Sequence, residues 1–255
     1  MRNTWIICRK ELRSYFVSPV AYLLLTMFAV IFGYFFWNSV GYFLNEAMQA
    51  QFSDEAAPMS VNEIVIRPML GNLSVVGLFF IPIITMRLFA EEKRTGTIEL
   101  LVTSPVRDGE IILGKWLASV LLYFFMMLFS GLSFIYIFHY GNPDWKPLAI
   151  GYLGLLMQAG ALLAIGTFIS TLTRNQIIAG AATFGICLLL WILQWVSGFE
   201  TGTWATVLAY FSVITHFDSF SKGLIDSKDV VFYLSMTLLA LFFTARSMES
   251  MRWRS

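Results

Sequence analysis

The stretch from Arg87 to Lys115 carries reactive side chains at the highest density in the chain. Ten charged residues fall within it: Arg87, Glu91, Glu92, Lys93, Arg94, Glu99, Arg107, Asp108, Glu110 and Lys115. Acids and cations this close together can pair along a helix, complement helix ends or grip the polar surface of another protein. Their types and spacing do not make a catalytic centre. Gly109 to Lys115 keeps the spacing of GxxxxGK[ST], but Trp116 stands where a phosphate loop carries Ser or Thr, so the motif is incomplete and no ATP site is expected here. GxSxG and HExxH do not occur in the chain. The two histidines, His139 and His216, are too few for a metal cluster. Cys8 lies in a basic segment and Cys187 in an apolar run, which predicts neither a disulfide nor a metal site. No cofactor is expected in the chain itself, and no nucleic-acid partner.

The elements that must position this stretch are membrane helices. The composition is 58% hydrophobic and 13% charged, with a mean hydropathy of +0.71. A soluble domain carries roughly 25% charged and 45–50% apolar residues. A bilayer core takes about 20 apolar residues per helix. By that measure residues 20–44, 72–89, 116–138, 148–172, 176–196 and 230–245 are spans. The second needs Arg87 to snorkel and is bent by Pro82. The fourth is rich in glycine and alanine, which suits close helix packing. The last is short, at roughly 24 Å. The six cores hold no acid, which disfavours a proton-coupled carrier. Gln158 and Gln194 are the conspicuous polar groups and are expected to bond between helices. Residues 1–255 read as one all-α transmembrane domain.

Three segments lie outside the spans. In residues 1–18, Trp5, Cys8, Leu12 and Tyr15–Phe16 recur at helical spacing, opposite Arg2, Arg9, Lys10 and Arg13. This predicts an amphipathic helix on the membrane surface, as an anchor or also as a docking element. Residues 45–71 read as an acidic, solvated loop. Residues 198–229 are aromatic and predict short interfacial helices, with His216 structural. The N-terminus, residues 87–115, Arg174 and the C-terminal tail hold thirteen of the seventeen basic residues. Both termini and the charged stretch are therefore expected in the cytoplasm.

Within residues 90–115, Ile98, Leu101 and Val102 form an apolar stripe at i, i+3 and i+4. Thr97 is placed to cap that short helix, after Gly96. Ser104–Pro105 ends it, and Pro105 suits the first turn of the next helix, with Asp108 and Glu110 near its positive end. Helix, corner and helix make either a rigid lever or a compact connector.

The order Glu92-Lys93-Arg94-Thr95-Gly96-Thr97-Ile98-Glu99-Leu100-Leu101, Thr103-Ser104-Pro105-Val106 and Gly114-Lys115 resembles the cytoplasmic loop of ABC-2 type exporter permeases. The six spans, the N-terminal helix and the aromatic helices before the last span are similar to that family too. Residues 84–92 and 216–226 look most like its gliding-motility-associated members. The resemblance implies a coupling helix that fits a cleft of a separate ATP-binding subunit. Ile98, Leu101 and Val102 would be its apolar docking surface, and Glu91, Glu92, Arg94 and Glu99 its polar contacts and hinge. Trp5, Arg9, Leu12 and Arg13 would belong to the helix beside the ATPase. It further implies two ATPase copies holding ATP and Mg, a second identical or related permease subunit, surrounding membrane lipid, and placement in the bacterial cytoplasmic (inner) membrane. An extracytoplasmic accessory protein is an additional partner consistent with the external loops. A non-transporting scaffold or anchor in an ATPase-driven complex is the alternative function.

Overall fold

The computed structural model describes residues 2–50, 60–99, 106–140, 143–199 and 203–252, which are helical with no strand among them. The amphipathic helix is α1 (Arg2–Val17). After Ser18 alone, α2 (Pro19–Ala50) begins. A π-helical turn (Asn62–Ile66) leads into α3 (Arg67–Thr85), and α4 (Ala90–Thr95) follows a four-residue turn. Then come α5 (Asp108–Tyr140), α6 (Trp145–Leu172) and α7 (Gln176–Phe199). Two short helices, α8 (Thr203–Tyr210) and α9 (Val213–Ser221), precede α10 (Ser227–Arg252). Among the described residues, six helical runs are long and apolar enough to cross a membrane: α2, the run Asn62–Thr95, α5, α6, α7 and α10.

The number of spans matches the sequence reading, but their ends do not. Residues 45–50 and 62–71, read as a solvated loop, are helical. The third span starts at Asp108 and the last at Ser227, so Lys115 lies two turns inside its helix and Asp229 in the first turn of its own. The last span is correspondingly longer than residues 230–245. Val106 and Arg107 are not helical and α5 begins at Asp108; Pro105, expected in its first turn, lies outside the described residues. The carboxylate of Glu110 instead accepts the Arg107 N–H at 3.4 Å and closes that end.

The central helix is α6, which contacts α3, α5, α7, α9 and α10. Its small residues allow this. A Cβ on Gly166 would stand 2.3 Å from Thr85 Oγ1, so α3 and α6 meet at a distance that admits only glycine. Buried Ser74 donates to Gln158 Oε1 at 2.8 Å across the same pair of helices. Gln194, by contrast, sits on an exposed face of α7. α2, α7 and α10 turn most of their apolar surface outward, as helices bordering lipid do.

The short helices are pinned to the last span by polar side chains. His216 Nδ1 lies 2.6 Å from Asp229 Oδ1, and its Nε2 lies 2.8 Å from the Tyr210 carbonyl. Its ring stacks on Phe232 at 3.9 Å. The Tyr233 hydroxyl donates to the Val213 carbonyl at 2.8 Å, and Arg67 reaches Asp218 at 3.0 Å. His216 is thus structural, as its sequence context predicts. Cys8 and Cys187 are both free and buried.

Two substitutions test this packing by thermal unfolding in detergent. Gly166→Leu forces α3 from α6 and costs about 1–3 kcal/mol. His216→Ala leaves Asp229 buried without its partner and costs about 3 kcal/mol.

Candidate functional site

The second span breaks where it approaches the charged stretch. Pro82 contributes no N–H, α3 ends at Thr85, and Met86–Phe89 form a turn before α4 resumes. Phe89, at φ −123° and ψ −32°, leaves the helical conformation. A helix end strands backbone donors and acceptors, which must find other partners when buried. Three elements supply them here. The Tyr15 hydroxyl, from α1, donates to the Ile84 carbonyl at 2.9 Å. Ser170 Oγ, from α6, accepts both the Phe89 and Ala90 N–H at 3.0 Å and lies 3.4 Å from the Met86 carbonyl. Lys115 Nζ, from α5, donates to the Leu88 carbonyl at 2.8 Å. Burial, followed by the nearby Glu11 carboxylate, pushes the Tyr15 phenol up, which keeps it a donor.

Lys115 does more than cap. Its ammonium also donates to Glu11 Oε1 at 3.0 Å and to Glu92 Oε1 at 2.9 Å. Three acceptors match its three protons. The side chain is only 2% exposed and lies 5.2 Å from the Phe89 ring centroid. One buried cation therefore joins α1, the break and α4 to the start of α5. Gly114 makes the approach of α1 possible, since a Cβ there would be 2.8 Å from Ile7 and 2.9 Å from the Thr4 carbonyl. Asn3 adds a bond to Glu110 at 3.1 Å. Beside the clamp, a cavity of about 30 Å³, enough for a water, is lined by Glu11, Ser14, Tyr15, Arg87, Leu88 and Glu91.

The residues expected to form the site divide into inward and outward groups. Glu92 turns inward to Lys115, and Glu91 pairs with Arg87 at 3.1 Å. Lys93 donates to the Thr171 carbonyl, fastening α4 to the end of α6. Arg94 and Glu99 are exposed, and Ile98 is half-buried against the core. Gly96, at φ 75°, terminates α4 in the left-handed conformation that glycine adopts freely. Thr97 Oγ1 faces back, 2.9 Å from Thr95 Oγ1 and 3.5 Å from the Glu92 carbonyl. Leu101, Val102 and Pro105 lie outside the described residues. In α1, Leu12 is half-buried while Trp5, Arg9 and Arg13 are exposed. Of the apolar positions read at helical spacing, Cys8 and Tyr15 are buried against the protein while Trp5 faces outward.

Sequence reasoning did not single out Lys115, Glu11, Tyr15 or Ser170 as site residues. Gly114-Lys115 was the available signal: a glycine followed by a cation and then a long charge-free run.

Residues 5–242 match the ABC-2 family transporter protein, nearly the whole chain. The chain belongs to this family. Among curated proteins, it is 25% identical over 189 residues to the "Probable multidrug ABC transporter permease YbhR" of Escherichia coli K12, covering 72% of this chain and 50% of that one. The protein of the same name from Escherichia coli O157:H7 matches equally, at 25% over 189 residues. The chain spans about half the length of these curated relatives. These matches carry the ABC-2 family and not its gliding-motility subgroup. As an ABC-2 family member with six such helices, the chain is a multi-pass membrane protein.

Lys115→Met leaves Glu11 and Glu92 buried together without their cation. Thermal unfolding should show a loss of about 3 kcal/mol or more. Adding Glu11→Gln and Glu92→Gln should recover much of that loss, the non-additivity expected of one network.

Proposed function

We propose that this chain is the permease subunit of an ATP-binding cassette exporter, driven by ATP hydrolysed in a separate subunit. The observation that carries the reading is the Lys115 clamp. It joins the segment that would meet the ATPase to the surface helix and the third span, so displacement of one is passed to the others. Family membership supports the same role.

In this reading two permease chains assemble with two ATPase subunits that hold ATP and Mg. Both termini and the stretch 90–107 face the cytoplasm, and the membrane is the bacterial inner membrane. The basic-residue bias supports that orientation. Ile98, with Leu101 and Val102, docks in the ATPase, while Arg94 and Glu99 make polar contacts around it. Closing of the ATPase dimer pushes α4, and the break at Met86–Phe89 turns that push into rotation of α3. The cargo is an apolar small molecule. This is supported by the multidrug description of the relatives and by an apolar groove of about 380 Å³ between α2 and α3, lined by Phe35, Val76, Phe79 and Phe80 among others, with Asn72 as its polar group.

The docking step is tested by affinity purification of the chain co-expressed with a candidate ATP-binding cassette subunit. Ile98→Asp combined with Leu101→Asp should cut recovery of the ATPase at least tenfold while the permease remains folded. Undiminished recovery would remove these residues from the docking surface.

A further inference from the structure

The surface helix α1 has two faces. One is spent on the protein: Cys8 and Tyr15 are buried, and Glu11 is committed to Lys115. The other carries Arg2, Arg9, Lys10 and Arg13, all exposed, with no acid among the described residues paired to any of them. Glu11 is the only acid in α1, and it lies on the opposite side. The four cations fall within one arc of the helix, along about 16 Å of its length. Exposed Trp5, Ile6 and Val17 flank them, at 61%, 56% and 77%.

We propose that this face binds the phosphate headgroups of anionic phospholipids. Two features favour a lipid surface over an acidic protein. First, Ser18 alone separates α1 from the 32-residue apolar helix α2, so the end of α1 must sit at the bilayer edge. Second, the apolar rim of α1 runs without interruption onto the outward surfaces of the spans. Phe16 lies edge-on to Tyr22 of α2 at 6.3 Å and to Phe125 of α5 at 6.0 Å, and both partners are exposed. Cations bordered by aromatic and aliphatic side chains are the pattern of an interfacial helix on anionic lipid. The headgroups hold α1 from below while Glu11 holds Lys115 from above, so lipid on one face steadies the clamp on the other.

The test uses the full chain in nanodiscs of phosphatidylcholine alone or mixed with phosphatidylglycerol. It needs no ATPase, so it stands or falls separately from the proposed function. Phosphatidylglycerol should raise the Tm of the wild type by several degrees, and high salt should erase the gain. Changing Arg2, Arg9, Lys10 and Arg13 to Gln should weaken retention of fluorescent phosphatidylglycerol on the order of several hundredfold, at roughly fivefold for each of the four lost cations. Replacing the three arginines by Lys should preserve it. Arg67→Gln, on another surface, should leave it unchanged. A wild-type Tm indifferent to lipid composition and salt overturns the proposal, whether or not the glutamine variant folds. So does a folded glutamine variant that keeps the wild-type gain in Tm and the wild-type retention of phosphatidylglycerol.

Discussion

Backbone satisfaction at the break in the second span is the constraint on which the rest of the arrangement depends. In a low-dielectric setting a peptide group without a partner costs several kcal/mol. Pro82 and the turn at Met86–Phe89 interrupt the helical ladder, and the stranded groups are met by Tyr15, Ser170 and Lys115. Those three side chains come from α1, α6 and α5, so the break cannot exist unless all three helices stand where they do. The glycines at 114 and 166 then read as clearance, letting the helices come close enough for short side chains to reach.

The same feature explains what the sequence disclosed and what it withheld. Six spans were legible because the bilayer dictates a length of apolar residues that few other structures need. His216 and Gln158 were read as structural from their apolar surroundings, and each proves to bond a neighbouring helix. The span ends were misjudged because charges were taken as boundaries. Lys115 lies within a helix and is buried, since carboxylates remote in sequence neutralise it, and Asp229 is buried in the first turn of α10 against His216. Glu11 stands 104 residues from Lys115, and no local pattern announces such a pairing. Pro82 signalled a bend, but the true break, four residues further on, is set by where Ser170 and Tyr15 fall in three dimensions.

Membership of the ABC-2 family and the clamp bear on each other. Under the proposed function, work is delivered to this chain from outside the membrane. An adaptor for such work must be stiff in the direction of the push and jointed where direction changes. Short α4, tied to α6 through Lys93 and to α5 through Lys115, has the first property. The turn before it has the second.

The stoichiometry of the clamp has a mechanical consequence. One ammonium serves two carboxylates and a carbonyl contributed by α1, α4 and the end of the second span. Should any one of these bodies move alone, the ammonium would lose a partner in a place that water reaches poorly. Arrangements with a single body displaced are therefore sparsely populated, and the three travel together or stay. The clamp therefore holds the three bodies as one unit and not as a row of independent hinges.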